Sequence, residues 1–131
     1  MDITYIGPVI LLLFTFITFI ISAYEKVNGW QMTKDSFQKQ FIHTVFSKTI
    51  VPILILILIL EVTVVTFAAR GIWNILTSQN FDYASYAFIT ASILYILLII
   101  GLRTINDYAG ASRIAIYFLI SIFGLFWIQS I

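Results

Sequence analysis

Residues 53–67 read ILILILILEVTVVTF: eight alternating isoleucines and leucines, then Glu61, then a further apolar run to Phe67. An Ile/Leu alternation has the look of a buried strand, but strands rarely exceed ten residues. The apolar stretch around it runs from Thr49 to Ala69, about twenty residues, which is the length a helix needs to cross a bilayer core of about 30 Å. The segment therefore reads as a membrane-spanning helix carrying one acidic residue inside it.

Three more stretches have that character: residues 4–23, 83–102 and 114–129. The four spans occupy most of the 131 residues, so residues 1–131 read as a single integral membrane domain of all-α class, a bundle of four transmembrane helices. Composition agrees. The chain is 61% hydrophobic and 10% charged, whereas a soluble domain carries about 25% charged residues. A net charge of +1 argues against nucleic-acid binding, and the absence of cysteine removes disulfide and thiolate chemistry. The first span opens Met1-Asp2 with no basic segment before its long apolar run, so it is expected to be retained as a helix despite the signal-peptidase-like Ile21-Ser22-Ala23.

Basic residues set the orientation. Lys26, Lys34, Lys39 and Lys48 lie between spans one and two, Arg103 and Arg113 between spans three and four, and Arg70 stands alone on the opposite side. The positive-inside rule places loops 24–48 and 103–113 in the cytoplasm and both termini outside. Tyr5, Trp73, Tyr83, Tyr86 and Trp127 then mark the outer interface, and Tyr24, Trp30 and Tyr108 the inner one.

The long loop is itself patterned. Phe37, Phe41, Ile42, Val45 and Phe46 recur at helical spacing, with Lys34, Gln38, Lys39 and His43 mainly on other faces. This predicts a short amphipathic helix in the inner interface, begun by Thr33 or Asp35 as cap, with lysines beside anionic head groups. His43 has no second ligand at metal spacing, so no metal site is expected. No phosphate-binding loop, zinc-protease motif or nucleophile elbow occurs. The reading favours a protein that is not an enzyme.

Glu61 is the residue most in need of a partner, because a carboxylate inside the bilayer is expensive. Along its own helix it lies about 14 Å from Arg70 and about 20 Å from Lys48. Thr15, Ser92 and Ser121 fall at a similar depth, about 14–15 Å from the outer ends of their spans, and Tyr95 lies one turn deeper than Ser92. The expectation is a mid-membrane polar site of Glu61, Thr15, Ser92, Tyr95 and Ser121, in which the carboxyl group meets hydroxyls rather than a cation. On span one, Thr15, Thr18, Ser22 and Glu25 form a polar stripe toward the cytoplasmic edge, and on span four Tyr117, Ser121 and Gly124 share a face. Small polar residues of this kind also serve close helix packing. At the inner interface Arg103 and Asp107 stand four apart and are expected to form a structural ion pair, with Gly110 ending the helix. Lys26, Arg103 and Arg113 are the candidates for holding an anionic group or the head of a lipid or quinone.

A first helix ending Ser22-Ala23-Tyr24-Glu25-Lys26, a loop with Phe37, a proline opening span two and a glutamate within it resemble the DoxX/MauE superfamily of small four-helix membrane proteins. Lys26, Phe37, Pro52 and Glu61 carry the likeness over the first half of the chain, with Arg103 a weaker match in the second. The resemblance implies a bacterial inner-membrane protein that accompanies a redox or quinone-linked system, and so a non-catalytic accessory subunit with other membrane-protein subunits and lipids as partners. Cysteines found after helix three in many MauE-like members are missing here, so a thiol-transfer role is not carried over. The chain is also similar to small multidrug transporters in length and span number, but their membrane glutamate lies in helix one, where this chain has Thr15 and Thr18. Two other functions stay open at this point: a proton-coupled transporter working as a homodimer through Glu61, and a purely structural membrane scaffold.

Overall fold

The computed structural model describes residues 6–44, 48–78 and 80–130. Five helices follow one another: α1 (Ile6–Asn28), α2 (Trp30–Gln40), α3 (Ile50–Ser78), α4 (Asp82–Thr104) and α5 (Tyr108–Ser130). No strand occurs among the described residues. All but α2 are long and apolar enough to cross a membrane, so the architecture is an all-α bundle of four spans with a short helix between the first two.

The helices outrun their apolar cores. α1 continues five residues past Ala23 to Asn28, and α3 continues through Arg70 and Trp73 to Ser78. At 1.5 Å per residue, the 29 residues of α3 make a rod of about 43 Å, longer than the hydrocarbon it crosses. Hydropathy marks where the apolar residues stop, whereas backbone hydrogen bonding carries a helix onward into the interface. Pro52 sits in the first turn of α3, where the N–H it lacks would have had no helical partner.

α3 is the axis of the bundle. Its buried residues are Ile50, Leu54, Ile57, Glu61, Val64, Ala68, Gly71 and Ile75, spaced alternately by four and three. That is the seven-residue repeat of helices supercoiled side by side. α3 packs along α1 on one flank and α4 on the other; α4 in turn carries α5, and the closure between α1 and α5 is much thinner. Position 71 needs glycine: a Cβ there would stand 2.9 Å from the backbone nitrogen of Ala84, so α3 and α4 cross in near-backbone contact. One core layer surrounds Leu12, Ala68, Ile75, Phe88 and Ile128, and a second, nearer α2, surrounds Phe19, Ile57, Val64, Leu94 and Tyr95.

The connecting segments differ from expectation in three places. α2 begins at Trp30, so Thr33 and Asp35 lie inside it rather than capping it; Gly29 holds the N-cap position with no side-chain cap. Phe37 and Phe41 stack at 6.1 Å and Phe41 is buried, but Ile42 is exposed. Val45, Phe46 and Tyr5 lie outside the described residues. Finally, α4 stops at Thr104 and α5 starts at Tyr108, with Asn106 in the left-handed region at φ 61° turning the chain between them.

Candidate functional site

Glu61 occupies a core position of α3 and is 1% exposed. Its partner is a cation, which corrects the expected ring of hydroxyls. Lys26 Nζ donates to Glu61 Oε1 at 2.7 Å, and Ser22 Oγ donates to the same oxygen at 3.2 Å. Lys26 also donates to Ser22 Oγ at 2.7 Å, closing a triangle of two α1 side chains on one carboxylate oxygen. Distances measured along α3 alone ruled out Arg70 and Lys48 and overlooked the neighbouring helix. Helical side chains lean toward the N-terminus of their helix, so Lys26, in the last turns of α1, directs its ammonium one turn back into the bundle. Its side chain stays 16% exposed, while that of Glu61 is 2% exposed.

The other expected site residues divide into two groups. Tyr95 and Ser121 belong to the neighbourhood of Glu61. Tyr95 is buried, stacks on Phe19 with ring centroids 5.3 Å apart, is hydrogen-bonded to Ser121 and lies near enough to Glu61 to feel its charge. Tyr117, 6.1 Å from Tyr95 between ring centroids, joins them. Thr15 and Ser92 are buried but do not reach the carboxylate. Each returns its hydroxyl to its own helix, Thr15 to the Leu11 carbonyl at 3.0 Å and Ser92 to the Phe88 carbonyl at 2.8 Å. Equal depth was a necessary condition for meeting Glu61; facing α3 with a free hydroxyl was a second condition, which these two fail.

At the far end of α4 the expected ion pair is replaced by a cap. With α4 ending at Thr104, Asp107 is no longer one turn along from Arg103. Its Oδ1 instead accepts the Gly110 N–H at 3.0 Å and opens α5. Gly110 therefore starts a helix rather than ending one, and a Cβ there would press on the Asp107 carboxylate at 2.5 Å. Arg103 lies over the Tyr108 ring at 4.9 Å, and Arg113 is exposed. Of the three basic candidates, Lys26 is engaged with Glu61.

The residues missed from sequence are Lys26 and Ser22 as ligands of the carboxylate. The signal was present: Lys26 stands four residues after Ser22, at the end of the polar stripe. Among the described residues no three of His, Cys, Asp and Glu come together. Glu61 Oε2 is left buried without a hydrogen-bond partner. No family model matches the sequence, and no curated protein or solved structure matches it either.

Proposed function

We propose that this chain is a DoxX-like, multi-pass protein of a bacterial cytoplasmic membrane, serving as a non-catalytic accessory subunit of a larger, redox- or quinone-linked membrane assembly. In this reading its basic end faces the cytoplasm. The observation that carries it is the closed Lys26–Glu61 pair at 2.7 Å. A proton carrier needs a carboxyl group that opens in turn to each side of the membrane. Glu61 is 1% exposed and fastened to α1, which favours a structural use of the charge pair over transport. Exposed apolar side chains on α1 (Ile10, Ile17, Ile21) and α5 (Leu119, Phe126) leave broad faces for partner helices.

Isolation of the tagged protein in a mild detergent, with companions identified by mass spectrometry, tests this. A stoichiometric set of larger membrane proteins is the expected result. Recovery as a lone monomer or homodimer overturns the proposal and shifts the weight to transport, where Glu61→Gln would abolish substrate uptake while leaving the fold intact.

A further inference from the structure

Between α2 and the bundle lies a cavity of about 270 Å³. Its walls include Phe37 and Phe41 of α2, Leu54 and Ile57 of α3, and Leu98 and Gly101 of α4. Among the described residues no charged side chain lines it, and Gln40 is the one polar side chain that does. From Ile50 to Ile57 it follows α3 for about 10 Å. Gly101 helps to make the space, since a Cβ there would find nothing nearer than the Phe41 ring at 3.8 Å. The Phe37 and Phe41 rings lie 6.1 Å apart and within 10° of parallel, which gives the α2 wall a pair of aligned aromatic surfaces. The Gln40 amide nitrogen donates to Ser36 Oγ at 3.4 Å, and its carbonyl oxygen is an acceptor. Leu56 and Ile100 also line the cavity and are 48% and 50% exposed. On membrane-spanning helices such exposure faces hydrocarbon, so the cavity is entered from the bilayer between α3 and α4.

We propose that this cavity is a binding site for a small neutral lipophile, a two-ring aromatic molecule carrying one hydroxyl group. Size, charge and wall chemistry together select that class. An apolar cavity of about 150 Å³ takes one benzene, so 270 Å³ takes about ten ring atoms. A partner helix, about 10–12 Å across, is too wide. An acyl chain reaches through half the hydrocarbon core, about 15 Å, and outruns the space. Walls without charge, entered from hydrocarbon, offer an ion no compensation for leaving water. Flat rings can lie against Phe37 and Phe41, and a rigid ligand loses less freedom on binding than a flexible chain of equal volume. The hydroxyl group would donate to the Gln40 carbonyl oxygen, with α2 as the cover of the site. This assignment does not depend on the accessory-subunit reading, because it concerns the isolated chain and its ligand.

The test is an NMR titration of the full-length protein, labelled at isoleucine and leucine methyl groups, in a non-ionic detergent with 2-naphthol as the probe. Saturable shifts should appear at Ile53, Leu54, Ile57 and Leu98, while Ile10 and Ile17 on the exposed face of α1 stay in place. This pattern is read on the wild type and does not depend on how any variant folds. At equal mole fraction in the micelle, 2-naphthol should bind about tenfold tighter than decanol, whose flexible chain must be ordered. It should also bind about fivefold tighter than naphthalene, and Gln40→Leu, at an exposed position, should erase that difference. Gly101→Leu should abolish the shifts by filling the cavity. Shifts that do not saturate and are shared with α1 overturn the proposal. So do equal binding of decanol, a naphthol preference that survives Gln40→Leu, or undiminished binding by a folded Gly101→Leu protein.

Discussion

Lys26 Nζ and Glu61 Oε1 meet at 2.7 Å across the α1–α3 interface, although 35 residues separate them in sequence. One end of this pair is closed off from solvent and the other keeps partial access, so the two residues are not equivalent in what their removal does.

Replacing Lys26 with Met leaves a buried carboxylate with Ser22 as its hydrogen-bond partner. Breaking a buried pair from one side costs about 3 kcal/mol, so a large fall in the thermal unfolding midpoint in detergent is expected. Glu61→Gln preserves shape and one hydrogen bond, and should cost about 1 kcal/mol. The combined Lys26→Met, Glu61→Met protein should recover most of the loss, since an apolar pair of similar volume leaves no orphan charge. A single Lys26→Met variant as stable as the wild type would remove the pair from any structural role.

Two glycines should respond oppositely to a methyl group. At Gly71 the added Cβ meets the Ala84 backbone at 2.9 Å, and backbone cannot step aside as a side chain does. Gly71→Ala is expected to destabilise by about 1–3 kcal/mol. At Gly101 the nearest atom is 3.8 Å away, so Gly101→Ala should be neutral or slightly stabilising through helix propensity. Unfolding midpoints of the two variants, measured side by side, check the contrast.

Asp107→Ala removes the acceptor of the Gly110 N–H and should cost about 1 kcal/mol. Arg103→Gln should add to that loss independently, because Arg103 is turned to Tyr108. A double-mutant cycle with a coupling energy near zero is the expected outcome; coupling of the size of an ion pair would restore the salt bridge that the turn at Asn106 replaces.

With no native cysteine in the chain, topology can be read from single introduced thiols. Ser36→Cys should be protected from a membrane-impermeant maleimide in intact cells and Asn80→Cys should be labelled, with both labelled after lysis. The reverse pattern would place the basic end outside.

The four spans were legible because apolar length is a property of each segment alone. What lay beyond reach was whatever depended on a second helix. From Ile53 to Leu60 every residue is apolar, so the stretch carries no amphipathic signal to say which side faces inward. The seam emerges only where chemistry changes, at Glu61, Ala68 and Gly71, which lie seven and three residues apart in the buried repeat of α3. Depth grouped Tyr95, Ser121, Thr15 and Ser92 together, but depth does not report direction: Thr15 and Ser92 return their hydroxyls to their own helices. The Arg103–Asp107 pair failed for a local reason. A left-handed residue at position 106 broke the helix between two residues whose spacing suited a salt bridge.

The Ile/Leu run of α3 has a further consequence, for how the protein is made. An acidic side chain near the centre of a span raises the free energy of leaving the translocon by about 3 kcal/mol. Each central isoleucine or leucine lowers it by about 0.5 kcal/mol, so the eight residues before Glu61 outweigh it by themselves. α3 can therefore enter the bilayer as soon as it is synthesised, with its carboxylate still alone. Lys26 is made 35 residues before Glu61, roughly two to seven seconds earlier at ordinary elongation rates. Insertion is secured by hydrocarbon and the helix pairing by charge, in that order.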